Sequence, residues 1–340
     1  LMFTTLGLWL WLKATPERHP GRREHVHVGS WSVAGAQPLS LRYLAAGAAC
    51  IAANFGCRPT FALSALLCFP IFWPQITSLL QGLRSRSLPP RRALRAPAAV
   101  IIPALIVVLP LMAYNVARFG SPLDFGNDYQ MTVTDMTRFV QPTANFLPSV
   151  GAYLFLPLRF TSEFPFIGMT PMAFREWGYY ELMAGGLFTA CPLLLLALAA
   201  PFLRRRMHRS GYWGLATCSL ALAVLLAVFD SHTAGLGWRY ICDFGWMMAI
   251  AALAPMLYLM HPGGDAIAAG APDPSDRNEP RRDVTKRHPM VLACVRGLVA
   301  AVLMASIILA VLACFIPGRD DSLINNNPVL YDTVVAWFRL

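Results

Sequence analysis

Charge is what this chain has least of. Only 14% of its 340 residues are Asp, Glu, Lys or Arg, against about 25% in an average soluble domain. Acidic residues are the scarcer sign, 18 against 28 Lys plus Arg. With 56% hydrophobic residues as well, the chain is neither a soluble globular enzyme nor a disordered segment. Its eight cysteines form no Cys-x-x-Cys and no Cys/His ligand spacing. That excludes a zinc module and a disulfide-stapled secreted domain, and the cysteines read as small apolar side chains. His25 and His27 have no third ligand at matching spacing and read as solvated. No repeat of fixed period occurs, which excludes a solenoid.

What the chain has is long apolar runs, and its mean hydropathy is +0.50. A helix needs roughly 20 apolar residues to cross a bilayer. Runs at 1–12, 41–55, 61–80, 98–114, 182–203, 211–229, 240–260 and 290–316 predict about eight segments, with 41–55 the weakest. A lone segment in lipid must satisfy its own backbone hydrogen bonds, so the segments are helices. The fold class expected is all-α, a polytopic transmembrane helical bundle. Residues 1–316 form the transmembrane domain and 317–340 a tail. The chain opens on Leu1 inside an apolar run, which is expected to be a first helix cut short.

The net charge of +10 is carried by short clusters: Arg84 to Arg95, Arg204 to Arg209, and Arg277 to Arg287. Short loops rich in Lys and Arg stay cytoplasmic. One orientation puts loops 13–39, 81–97, 203–210 and 261–289 inside, and loop 115–181 and the C-terminus outside. The charge therefore reports topology, with no nucleic-acid partner, in a multi-pass plasma membrane of bacterial type. Loop 261–289 reads as a flexible linker. In the tail, Val329 to Phe338 have helical spacing, which predicts a short helix lying in the interface or packed against the domain.

Loop 115–181 is unlike the others. It carries six acidic residues and fourteen aromatic ones, too many for a plain connector. Short helices along the membrane surface are expected at 146–158 and 172–180. The loop begins Tyr114-Asn115-Val116-Ala117-Arg118-Phe119-Gly120-Ser121-Pro122-Leu123-Asp124-Phe125-Gly126, a helix end followed by a turn. Gly120 and Gly126 can take positive φ, and Pro122 fixes a bend. Arg118 at the helix end suits bidentate phosphate contact, or it snorkels there.

The string from Tyr114 to Gln130 resembles a segment that follows a transmembrane helix in bacterial glycosyltransferases of the GT-C type. These are similar to protein mannosyltransferases and aminoarabinose transferases. Phe55 to Thr60 resembles their helix-end Arg-Pro-Thr, and Gly237 to Phe244 their Arg-Tyr at the outer start of a late helix. The resemblance spans roughly residues 40–260. It implies a polyprenyl-phosphate sugar as donor, an acceptor that attacks the anomeric carbon at the outer face, and membrane lipid as partner. It also implies a catalytic carboxylate in a first external loop, expected upstream of Leu1, so no catalytic residue is assigned.

The substrate-binding candidates are Arg58, Arg118, Asp124, Tyr129, Arg239 and Tyr240, with the three arginines converging on a lipid phosphate. Arg58 reads equally as a helix-end cap. Arg239 reads equally as half of an ion pair with Asp243, four residues on. Tyr129 and Tyr240 also fit interface anchors. No cofactor is implied and no divalent metal is specified. The alternatives are a lipid-linked glycan transporter or flippase, for which Pro103, Pro110 and Pro192 offer kinks, and a non-enzymatic assembly protein.

Overall fold

The computed structural model describes residues 1–15, 30–31, 38–126, 129, 135, 138–203, 212–260, 289–318 and 322–338. The chain is an all-α helical membrane protein. Among the described residues, four helices are long and apolar enough to cross a bilayer: Arg95–Phe119, Tyr212–Thr233, Trp238–Leu257 and Ala293–Ala313. The basic stretches 204–209 and 277–287, most of loop 13–39 with His25 and His27, loop 261–288 and Asp128 lie outside the described residues.

The other four runs depart from straight crossings for local reasons. Helix Met2–Ala14 has 13 residues and helix Leu41–Cys57 has 17. At 1.5 Å per residue they span roughly 20 and 26 Å, short of a hydrocarbon core of about 30 Å. The run 61–80 is broken at Phe72, where Pro59–Ile71 and Trp73–Arg84 meet at 66°. Pro70 and Pro74 supply no backbone N–H there. Counted as one crossing, the bent pair makes a fifth span.

The run 182–203 gives only helix Leu187–Ala190 and a 3-10 helix Pro192–Ala199. Pro192 keeps Cys191 out of the helical region, at φ −134° and ψ 77°. The Leu193 N–H donates instead to Ser306 Oγ at 3.0 Å.

The chain divides into two compact units, residues 1–139 and 140–340. In the first, Leu41–Cys57 packs against Met2–Ala14 and Arg95–Phe119. The first contact depends on glycine. A Cβ on Gly47 would lie 2.7 Å from Trp11 Nε1 and 2.9 Å from the Gly7 carbonyl, and one on Gly7 would lie 2.6 Å from Ile51 Cγ1. Backbones that approach so closely pack tightly without a hydrophobic drive between helices. The buried Trp11 Nε1 donates to the Leu44 carbonyl at 3.2 Å, and Asn54 Nδ2 to Thr4 Oγ1 at 3.1 Å. Helix Arg95–Phe119 keeps only 6% of its most apolar window buried. Ile101, Ile102, Ile106 and Leu109 point outward, as lipid-facing residues do.

In the second unit, Tyr212–Thr233 and Ile241–Met260 pack as a hairpin. Small residues Ala216, Ala223 and Ala227 are buried on one helix, and Phe244, Met247 and Met248 on the other. The expected helix at 146–158 forms as Phe146–Phe155. The expected helix at 172–180 does not form. That stretch is irregular, bends at Arg175 and Glu176, and ends in a parallel bridge between Tyr180 and Leu236, which draws the backbone hydrogen bonds of its end away from any helix. A two-residue hairpin pairs Arg159–Phe160 with Ile167–Gly168. The tail forms helix Pro328–Ala336, capped by Asn327 Oδ1 accepting from the Leu330 N–H at 3.1 Å. Phe338 stacks on Phe164 at 4.4 Å, and Phe164 meets Phe315 at 5.2 Å.

Candidate functional site

Arg58 and Arg118 belong to the first unit. The Arg58 N–H donates to the Asn54 carbonyl at 2.8 Å, and its own carbonyl accepts from the Phe61 N–H at 3.0 Å. Its backbone thus joins helix Leu41–Cys57 to the following 3-10 turn, as a helix-end residue does. Arg118 donates from Nη1 to the Tyr114 hydroxyl at 2.9 Å, and its Cζ lies 5.0 Å from the centre of the Phe119 ring. This is a guanidinium held on aromatic faces, one turn from its hydroxyl partner.

The loop that follows is built around glycine as expected. Gly120 takes φ +81° and Gly126 φ +77°. Asp124 Oδ1 accepts from the Gly126 N–H at 2.8 Å, so this carboxylate closes a turn. A Cβ on Gly126 would lie 2.6 Å from Phe119 Cζ. Phe119 in turn stacks on the exposed Tyr129 ring at 5.4 Å. Phe55 meets Phe125 at 5.2 Å, which brings together the two helix ends that carry Arg58 and Arg118.

Arg239 and Tyr240 belong to the second unit, and there the polar side chains gather. Arg239 sits in a 3-10 turn, Trp238–Tyr240, just before helix Ile241–Met260. Its Nη2 donates to the Tyr179 hydroxyl at 3.0 Å, and its Nε lies 3.6 Å from Glu181 Oε1. The Tyr179 hydroxyl donates to the same Glu181 oxygen in a short hydrogen bond. The guanidinium also lies over two rings, Tyr240 at 5.3 Å and Tyr179 at 5.8 Å. Burial pushes the Tyr179 hydroxyl above its usual ionisation range, and its hydrogen bond to Glu181 adds to the rise.

Sequence spacing suggests an ion pair between Arg239 and Asp243; the bridge described for Arg239 is to another carboxylate. The bridge runs to Glu181. A 3-10 turn has three residues per turn, so positions 239 and 243 do not share one α-helical face. Asp243 is 1% exposed, while the Arg239 side chain is 63% exposed.

The cluster is held by backbone. The Glu181 N–H donates to the Leu236 carbonyl at 2.7 Å, and the Leu236 N–H to the Tyr179 carbonyl at 3.1 Å. Gln141 Oε1 accepts from the Tyr179 N–H at 3.2 Å. Gly235 takes φ +87°, and a Cβ there would overlap the Tyr179 carbonyl oxygen. Tyr153 is fully buried. Its hydroxyl donates to the Gly235 carbonyl and accepts from the Gly237 N–H, each at 2.9 Å. One phenol oxygen thus pins the turn that presents Arg239.

Trp238 and Ile241 bracket Arg239 and Tyr240 in sequence, and both line a cavity of about 480 Å³. Its other walls are mostly small and apolar: Gly185, Gly186, Leu187, Ala190, Ala310 and Ala313, with Ser322 and Asn326 supplying polar atoms. That volume is within the range of small-molecule sites. The turn that carries Arg239 thus also contributes Trp238 to the wall of an apolar cavity.

Sequence reasoning missed Tyr153, Tyr179 and Glu181 as members of the cluster. Glu181 counted only as loop charge, although it is the last acidic residue before an apolar run. Among the described residues, no group of three or more His, Cys, Asp or Glu is placed to hold a metal. No family model, curated protein or solved structure matches the chain.

Proposed function

We propose that the chain belongs to an integral-membrane glycosyltransferase of the GT-C kind. It moves a sugar from a polyprenyl-phosphate donor to an acceptor on the outer face of the membrane. The observation that carries this reading is Arg239, caged by Tyr179, Tyr240 and Glu181 at the head of an apolar span and beside an apolar cavity. A lipid-linked anion has the same two-part chemistry, an apolar chain and a charged head.

In the reaction the acceptor attacks the anomeric carbon and gives its proton to a carboxylate base. The bond from that carbon to the phosphate oxygen breaks, and the oxygen keeps the electron pair. The leaving lipid phosphate gains one negative charge, and the part proposed for Arg239 is to hold the phosphate head in place while the bond breaks. The test is Arg239→Ala in the full-length protein, supplied with a labelled polyprenyl-phosphate sugar. Product is expected to fall at least tenfold with normal membrane insertion. Unchanged product would sink the reading.

A second reading, a transporter of lipid-linked glycans, draws on the helix broken by 66° at Phe72, since discontinuous helices mark many transporter sites. It predicts glycan movement across sealed vesicles without formation of a new glycosidic bond.

A further inference from the structure

Arg239 does not face its ligand alone, because a carboxylate shares the guanidinium. Within the cluster, Arg239 carries the positive charge and Glu181 the negative one, 3.6 Å apart. Tyr179 stays neutral, keeping its proton and donating a hydrogen bond to Glu181. The two charged side chains differ in freedom. The Glu181 side chain is 32% exposed and the Arg239 side chain 63%. The Glu181 backbone is tied to Leu236, and a side chain at Gly237 would begin 3.3 Å from Glu181 Oε2. Glycine at 237 leaves room first for the Tyr240 ring, which a Cβ would meet at 2.6 Å, and then for the carboxylate. An anion that reaches the open side of Arg239 meets Glu181 still in position.

We propose that Glu181 selects ligands at Arg239 by charge, so that a monoanionic phosphodiester headgroup is accepted in preference to a dianionic phosphomonoester. This rests on the lipid-phosphate reading above. With Glu181 beside Arg239 the pair is close to neutral, so a second negative charge on the ligand gains little from the cation and is repelled by the carboxylate. A unit charge roughly 6 Å away, at an effective dielectric near 40, changes an affinity by about tenfold. The selectivity suits the proposed transfer, in which the donor is a diester and the leaving lipid phosphate a monoester. The repulsion that spares the donor expels the product.

The experiment measures binding of three probes to the purified full chain in detergent at pH 8, where a phosphomonoester is doubly ionised. The probes are methyl farnesyl phosphate, farnesyl phosphate and inorganic phosphate. Wild type is expected to bind the diester more tightly than the monoester. In Glu181→Gln, the ratio of monoester Kd to diester Kd is expected to fall about tenfold. In Glu181→Asp, which keeps the charge, that ratio stays near wild type even if both affinities shift.

A ratio unchanged within about twofold in Glu181→Gln overturns the proposal. So does an equal change of ratio in Glu181→Asp, which would trace the effect to shape. Arg239→Ala is the separate control. If it binds both lipid probes as wild type does, the lipid-phosphate reading of the cluster fails, whatever Glu181 does. Inorganic phosphate bound as tightly as farnesyl phosphate overturns the lipid headgroup as the ligand.

Discussion

Replacing Tyr153 with phenylalanine removes one oxygen and strands two backbone groups. The ring itself stays, so its edge contact with Phe244 at 5.4 Å is kept. What goes is the hydroxyl that bonds the Gly235 carbonyl and the Gly237 N–H at 2.9 Å each. The site is fully buried, so water does not reach the stranded groups. Leaving a buried donor or acceptor unsatisfied costs about 1–3 kcal/mol. Two such groups set an expected loss of about 2–4 kcal/mol, the lower end because a carbonyl has a second lone pair to offer. The assay is reversible unfolding in mixed micelles, wild type against Tyr153→Phe, with hydrogen exchange at the Gly237 amide as a local readout. That amide is expected to exchange faster even where the rest of the unit is unchanged. A stability change below about 0.5 kcal/mol, with Gly237 protection intact, would refute the view that this phenol pins the turn.

Two other outcomes are expected. Gly47→Val places a side chain against Trp11 and the Gly7 carbonyl, with its first carbon 2.9 Å from that oxygen. It should cost about 1–3 kcal/mol by overpacking, and a thermal melt equal to wild type would contradict the close approach of the two helices. Tyr179 loses its proton only above the usual range near pH 10, because burial first and the bond to Glu181 second hold it. The unfolded chain releases that proton near pH 10 while the folded one keeps it. The contribution of Tyr179 to stability is therefore full below pH 10 and is lost as pH climbs toward the folded value. The tyrosinate absorbance of wild type minus Tyr179→Phe should stay flat through pH 10; a step there would disprove it.

The character of the fold was readable in composition, because few charges and long apolar runs admit only helices in lipid. The count of crossings was less so, and proline explains why. Hydropathy sees 182–203 as one run, but Pro192 removes a donor in its middle and the backbone finds Ser306 instead. Hydropathy also cannot see the 66° bend between Pro70 and Pro74. At the site, Arg239 and Tyr240 were legible as a short string at a helix start. Their partners were not, because Tyr179 and Glu181 come to Arg239 through a parallel bridge from Tyr180 to Leu236, some 56 positions on. Nothing local in either stretch encodes that pairing. The bridge to Glu181 was hidden for the same reason, since spacing of four implies a shared face only inside a regular α-helix.

The phenol pin also has a consequence in time. Tyr153 and Gly237 are separated by 84 residues. At a synthesis rate of about 5–20 residues per second, roughly 4–17 s pass after Tyr153 is made before Gly237 exists to meet it. Throughout that interval the stretch from Gln141 to Glu181 is a polypeptide without its closing partner. The ribosome therefore completes the hairpin helices at 212–260 in the same few seconds in which the preceding loop first becomes able to settle.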